Sequence, residues 1–227
     1  MKKNNVWLIT AKTNLHVGNE NTSSYGLIDL AIQRNATTNL PCINSSSLKG
    51  ALNEFAAQYE DLDRLKIFGS DKLDKSKGSS KGLYTFFDAN ILFLPRQSDT
   101  QLYELVTCNE VLDRFIDQVN LMTGEEINSR DIIEEYVKKF TIIDSQEFKE
   151  LCNDDNLPII ARNVLENGES KNLWYEQVLP AETVLYTIID EKEDNSLAKK
   201  LKDAKAIVQI GAGATIGYGY CKFTNLE

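Results

Sequence analysis

A chain of 227 residues that is 42% apolar and 26% charged can bury a substantial core, which excludes a low-complexity or fibrous protein. A formal net charge of −9 argues against a uniformly basic nucleic-acid binder, yet the charge is unevenly spread. Residues 1 to 96 hold 12 Lys/Arg against 9 Asp/Glu, and residues 97 to 227 hold 13 against 25, so a polyanion site is expected in the N-terminal part.

Four cysteines, Cys42, Cys108, Cys152 and Cys221, lie far apart without a CxxC pair, and one histidine cannot complete a Cys/His zinc set. They read as free, buried thiols. The first apolar run is broken at Lys12, short of a signal peptide, and no later segment approaches a membrane span. A cytoplasmic protein with no membrane partner is expected.

In chain order, Val6 to Leu15 alternates as a half-buried strand with Trp7, Ile9, Ala11, Thr13 and Leu15 on one side. A long Gly/Asn/Ser/Thr loop, residues 16–45, follows, and loops of that length in compact domains are functional or disordered. From Ser45, Leu48, Ala51, Leu52, Phe55, Ala56 and Tyr59 recur at helical spacing, with Ser45 or Ser46 as the cap. The lysine-rich stretch from Asp71 to Lys81 reads as a loop. Gly82 to Leu94 is the strongest strand signal, ended by Pro95, and Leu102 to Cys108 a further strand. Helices are expected from Asn109, with Leu112, Phe115, Val119 and Met122 inward, and from Ser129 to Phe140. Asp144 to Asp155 is acidic and weakly patterned. Arg162 to Asn172 reads as a turn-rich excursion before strands at Leu173 to Leu179 and Thr183 to Asp190. A short helix, Asn195 to Lys205, then precedes two strands, Ala206 to Ile210 and Tyr218 to Phe223, that flank the glycine run GAGATIGYG. This order of elements points to an α+β, ferredoxin-like fold without internal repeats.

Few residues carry chemistry. The glycine run is followed by a strand pattern rather than a helix, which is wrong for a dinucleotide fingerprint and suits a close backbone approach. His16, the one imidazole, is either a turn histidine or a group for acid/base work. Asp29 is a lone carboxylate set between Ile28 and Leu30 with Arg34 close by, so it is solvated, paired or used. Lys49, beside Ser46 and Ser47 in the first helical turn, opposes the helix dipole, which makes sense if an anion is also present.

The runs Leu15-His16-Val17-Gly18, Gly26 to Arg34 (GLIDLAIQR) and Ser46 to Leu52 (SSLKGAL) closely resemble the RAMP superfamily of CRISPR proteins, and within it the repeated backbone subunit of the type III-B (Cmr) RNA-targeting complex. Ile67-Phe68-Gly69, Thr85 to Ala89, Leu173 to Glu176 with Leu179-Pro180, and Val208 to Gly211 with Gly217 to Gly219 agree, so the likeness spans nearly the whole chain. Asn44-Ser45 stands where the family often has Pro-Gly, and Asn53 where it often has Arg.

The resemblance implies a single domain over residues 1–227: an RNA-recognition-motif-like palm core with the loop at 16–45 and a β-hairpin thumb at about 157–180. It implies a CRISPR RNA held along stacked copies of the chain, other Cmr subunits as partners, and a thumb that flips nucleotides from the duplex formed with single-stranded target RNA. Asp29 would be the catalytic residue and the protein ligand of Mg²⁺ or Mn²⁺, in a metal-dependent endoribonuclease. His16, Arg34, Ser46, Ser47, Lys49, Arg162, Gly211, Gly213 and Gly217 would contact RNA. Two alternatives stand: a non-catalytic RNA-binding scaffold, and a metal-independent RNase using His16.

Overall fold

The computed structural model describes residues 5–19, 28–70, 80–124, 131–137, 139–166, 169–192 and 194–226. The sheet is built around β1 (Val6–Ala11), whose Val6, Trp7, Leu8 and Ile9 are all buried. Alternation predicts a half-buried strand that reaches Leu15. Instead β1 stops at Ala11 and is buried on both faces, and its edges are taken by antiparallel neighbours, β11 and β9.

The remaining strands are β2 (Cys42–Ile43), β3 (Thr85–Phe86), β4 (Ala89–Arg96), β5 (Glu104–Cys108), β6 (Thr141–Ile143), β7 (Ile159–Glu166), β8 (Glu169–Gln177), β9 (Val184–Asp190), β10 (Val208–Gln209) and β11 (Tyr220–Asn225). Among the described residues nine of them join in the order β10-β11-β1-β9-β4-β5-β6, with β2 on β4 and β3 on β9. Only β5 and β6 run parallel, so the fold is α+β with a central, mostly antiparallel sheet. β7 and β8 form a separate two-stranded hairpin.

The helices are α1 (Ser45–Ala56), α2 (Arg64–Phe68), α3 (Asn109–Thr123), α4 (Asp131–Tyr136), α5 (Ser145–Leu151) and α6 (Ser196–Leu201). α1 buries Leu48, Leu52, Phe55 and Ala56, and α3 buries Val111, Leu112, Phe115 and Val119, the stripes that helical spacing requires. The expected helix from Ser129 begins outside the described residues and is seen as α4, and most of the loop from Asp71 also falls outside them.

Several boundaries differ from the sequence pattern. The Gly82 to Leu94 signal is split, because at Phe87 and Asp88 the chain crosses from pairing with the end of β9 to pairing with its middle. Pro95 lies inside β4 opposite Leu105. Pairing with β9 has already ended at Phe93, so an N–H is not needed on that side. The acidic stretch after Asp144 holds α5, capped by the Asp144 carboxylate on the Gln146 N–H and anchored by the fully buried Phe148. Arg162 to Asn172 reads as a turn-rich excursion, whereas its described residues are mostly ladder, with Arg162 opposite Trp174, Asn163 opposite Leu173 and Glu166 opposite Glu169. Residues 167–168 between those strands lie outside the described residues, and Asn163, Glu169, Ser170 and Asn172 are exposed on the strands.

All four cysteines are free and buried. Burial pushes the thiols of Cys42 up to about 11 and of Cys152 and Cys221 up to about 12, so these three stay protonated and inert.

Candidate active site

Residues 28–34 form an irregular strip that lies on the outer edge of β8 at Asp29 and Leu30 and then pairs with Gly18 and Pro41. The Asp29 and Leu30 N–H groups donate to the Tyr175 carbonyl at 3.0 and 3.1 Å, and the Gln177 N–H donates to the Leu30 carbonyl at 2.9 Å. The free edge of a two-stranded hairpin has donors and acceptors to offer, and this strip takes those at the hairpin root.

Asp29 is exposed, and its Oδ2 accepts the Tyr175 N–H at 2.7 Å. Main chain and carboxylate are thus both tied to one residue of β8, which sets where the acid points. The carboxylate stays at the surface, open to a ligand.

His16 follows Leu15, which pairs with Leu179, and its imidazole lies inside, 3% exposed. Nδ1 sits 2.6 Å from the Gln177 carbonyl and 3.7 Å from Glu176 Oε1. The ring expected to contact RNA therefore faces the protein, which is the turn-histidine arrangement. Its carbonyl serves differently: it accepts the Ala212 N–H at 2.9 Å, anchoring the glycine run.

That run forms a loop around a 3-10 turn at Ala214–Ile216. Gly211 is pressed so close to His16 that an added Cβ would lie 2.1 Å from the His16 oxygen, with φ at +80° besides. Gly213 and Gly217, also left-handed, flank the turn. At Gly217 an added Cβ would meet nothing within 4 Å, so only its φ of +82° asks for glycine there. Gln209 Nε2 braces the loop through the Gly211 and Tyr218 carbonyls at 3.0 and 3.2 Å.

Arg162, on β7, crosses from the hairpin to this loop. Its guanidinium stacks 4.6 Å over the Tyr218 ring and its Nε donates to Glu176 Oε2 at 3.0 Å. Its Nη2 is enclosed with no partner among the described residues. Arg34 is also engaged: Nε and Nη2 donate to Asp154 Oδ1 at 3.0 and 2.6 Å, and Nη1 to the Asn39 carbonyl at 2.8 Å. Both arginines expected to hold RNA are thus neutralised where they stand.

The start of α1 lies beside the same surface. Gln33 connects them, donating through Nε2 to the Gly18 carbonyl and Ser47 Oγ and accepting the Asn44 N–H at 2.7 Å. The cap comes from neither serine: Asn44 holds the cap position, and the Ser45 N–H donates to the carboxylate of Asp88, 43 residues on, at 2.7 Å. An acid already complements the helix dipole there. Ser46 and Lys49 are exposed, and Ser47 half-buried.

The fold therefore gathers Asp29, His16, Arg162, Gly211, Gly213 and Ser47 around the hairpin root, with Lys49 a short way along α1. Gln33, Gln177, Glu176, Asp154 and Tyr218 complete the site and are not evident from sequence. Three of them lie in runs that carry the family resemblance, Gln33 in Gly26 to Arg34, Glu176 in Leu173 to Glu176 and Tyr218 in Gly217 to Gly219; Gln177 and Asp154 carried no signal.

A divalent cation fits Asp29 in one way only. One carboxylate oxygen is held by Tyr175, and among the described residues no three His, Cys, Asp or Glu side chains gather to hold a metal. The chain could supply a single ligand to a hard cation whose other positions are water or ligand oxygens. Two cavities lie elsewhere: one of about 650 Å³ is lined by Glu104, Glu134 and Phe140, another of about 650 Å³ by Asp88, Asp113 and Asp117. The site is a surface strip rather than a pocket, which suits a polymer.

Residues 8–222 match the family model of the RAMP superfamily. The chain is 28% identical to the CRISPR system Cmr endoribonuclease Cmr4 of Pyrococcus furiosus over 266 aligned positions covering 89% of each protein. In structure it is similar to a chain of the type III-B Cmr-beta complex bound to cognate target RNA, with a TM-score of 0.75 at 20% identity, covering 96% of this chain and 95% of that one. It is likewise similar to oligomeric Cmr4 from Pyrococcus furiosus, with a TM-score of 0.71 at 23% identity and 96% of each chain covered.

Proposed function

Because the chain belongs to the RAMP superfamily, we propose that it is a guide-RNA-binding backbone subunit of a type III-B CRISPR effector complex and that Asp29 cuts target RNA. The observation that carries this reading is the exposed Asp29 carboxylate, fixed by the Tyr175 N–H at the root of the β7–β8 hairpin. The relative named as a Cmr endoribonuclease supports it. The core would serve as an RNA-recognition-motif-like palm and the hairpin as the thumb, with copies stacked along one CRISPR RNA.

Guide contact would fall to Lys49, Ser46 and those N–H groups of the glycine loop that are not, like those of Ala212, Ile216, Gly217, Tyr218 and Gly219, already bonded within the protein. Such contacts grip phosphates without reading bases, which leaves specificity to pairing between guide and target. The exposed hairpin body would wedge into that duplex and turn one nucleotide out of the stack. An extruded nucleotide lets the adjoining 2′-hydroxyl align behind its phosphate, and alignment supplies much of the rate. The 2′-hydroxyl then gives up its proton to solvent as its oxygen attacks phosphorus, the 5′-oxygen of the next nucleotide leaves and takes up a proton from solvent, and a 2′,3′-cyclic phosphate remains. Asp29 would hold Mg²⁺ or Mn²⁺, which supplies charge neutralisation at the phosphate or the leaving oxygen. Tyr175 keeps the carboxylate aimed at that position.

The test is Asp29→Ala in a complex assembled with guide RNA. Cutting of bound target should fall by at least about a hundredfold, the usual scale for a residue acting at the reacting atoms, while guide content stays unchanged. EDTA should stop cutting in the parent complex. Full-rate cutting by the variant would leave a scaffold subunit.

A further inference from the structure

We propose that Asp154 is a positioning residue for Asp29, acting through Gln177 and Arg34; this rests on the reading of Asp29 as the residue at the reacting phosphate. Asp154 lies in the turn after α5, in a stretch whose composition marks it only as acidic surface. Its Oδ1 accepts three donors: Arg34 Nε at 3.0 Å, Arg34 Nη2 at 2.6 Å and Gln177 Nε2 at 3.0 Å. One oxygen thereby ties the far end of the Asp29 strip to the last residue of β8.

Gln177 transmits the constraint. Its side chain is fully buried, and its Oε1 accepts the Ile32 N–H at 3.2 Å while its own N–H holds the Leu30 carbonyl. A carboxylate only accepts hydrogen bonds, so Asp154 dictates which end of the Gln177 amide faces it, and the other end must then face Ile32. Without the carboxylate, the buried amide keeps only the Asp154 carbonyl, 3.4 Å from Nε2, as a more distant acceptor on that side, and its sense is held less firmly. Arg34, with 12% of its side chain exposed, would be left a cation without its anion. The strip bearing Asp29 would then keep its main-chain bonds to β8 and to residues 17–19 but lose the side-chain brace at its far end.

Losing Asp154 also has opposite effects on the two RNA-related properties. Arg34 is released and becomes available to a phosphate, whereas Asp29 is no longer held to the geometry cutting requires. A residue that merely kept the fold intact would lower both together.

The experiment compares parent, Asp154→Asn, Asp154→Ala and Asp154→Ala/Arg34→Ala chains in complexes matched for guide RNA, cutting saturating target in single turnover. Asp154→Ala should cut about tenfold to a hundredfold more slowly, the scale of a displacement of about 1 Å at a reacting group, with target affinity equal to or tighter than the parent's. Asp154→Asn keeps an acceptor for Gln177 and should recover most of the rate. The double variant should cut no more slowly than Asp154→Ala, because the two residues act as one unit. In the isolated full-length chain, amide hydrogen exchange at Ile32 should quicken in Asp154→Ala while β1 and β9 stay protected. Unimpaired cutting with quickened exchange, impaired cutting with unchanged exchange, or equal losses of RNA binding and cutting would each overturn the proposal. If Asp29→Ala itself cuts at full rate, the site reading has failed, and Ile32 exchange alone then decides whether the brace exists.

Discussion

Two strands of similar length, β8 and β9, are held in place by opposite means. Six of the seven residues of β9 are buried, between β1 on one side and β4 on the other. In the nine-residue β8 only Glu176 and Gln177, at the root, are buried, while Leu173 and Tyr175 stand in solvent. β9 is fixed by apolar burial along its whole length, and β8 by a cluster of polar contacts at one end. An element that must present a free surface to a large ligand cannot bury that surface for stability. The hairpin is therefore anchored where hydrogen bonds to Asp29, Arg162 and His16 can be satisfied, and left open elsewhere.

This contrast predicts where substitutions will be felt. The largest effect belongs to the sheet: Phe93→Ala, which removes a fully buried ring packed 4.9 Å from Phe140, should cost about 3–5 kcal/mol in urea unfolding. A loss under about 1 kcal/mol would mean the sheet is not the stabilising unit.

Next comes a polar group the sheet buries without the partners found at the hairpin root. Glu191, just past β9, is 6% exposed, and its Oε1 has no hydrogen-bond partner among the described residues. Burial first, and then the charge of Asp194, raise its carboxyl from the ordinary 4.5 to about 7. Between those values the unfolded chain ionises this group while the folded chain keeps the proton. Folding stability should therefore fall as pH rises through that window and level off above it, by up to about 3 kcal/mol. Glu191→Gln should abolish this component, so melting temperatures at pH 5 and pH 8 should lie closer together in the variant than in the parent. An unchanged pH profile would contradict the assignment.

The smallest effect is expected on the hairpin body. Leu173, 52% exposed, should tolerate Ala within about 0.5 kcal/mol of folding stability. If the hairpin is the thumb, the same change should slow target cutting in the assembled complex, separating stability from function in one side chain.

Local pattern was enough for much of this molecule. The helical stripes of α1 and α3 and the strand character of β3 and β4 within residues 82–94 follow from spacing, because a periodic apolar face reports burial within a few residues. The α5 helix escaped that reading because its seven residues offer a single buried anchor, Phe148. Partnership between polar side chains is of a different kind. Tyr175 meets Asp29 across 146 positions, Asp154 meets Arg34 across 120, and Asp88 rather than a neighbouring serine closes the α1 N-terminus. No periodicity encodes such pairs, since a hydrogen bond depends on where the topology delivers its two ends. The sequence by itself thus determined the strongly patterned strands and helices and which acid stood alone. Only the tertiary structure decided what holds that acid in place, and that the arginines and the histidine expected to grip RNA are already engaged within the protein.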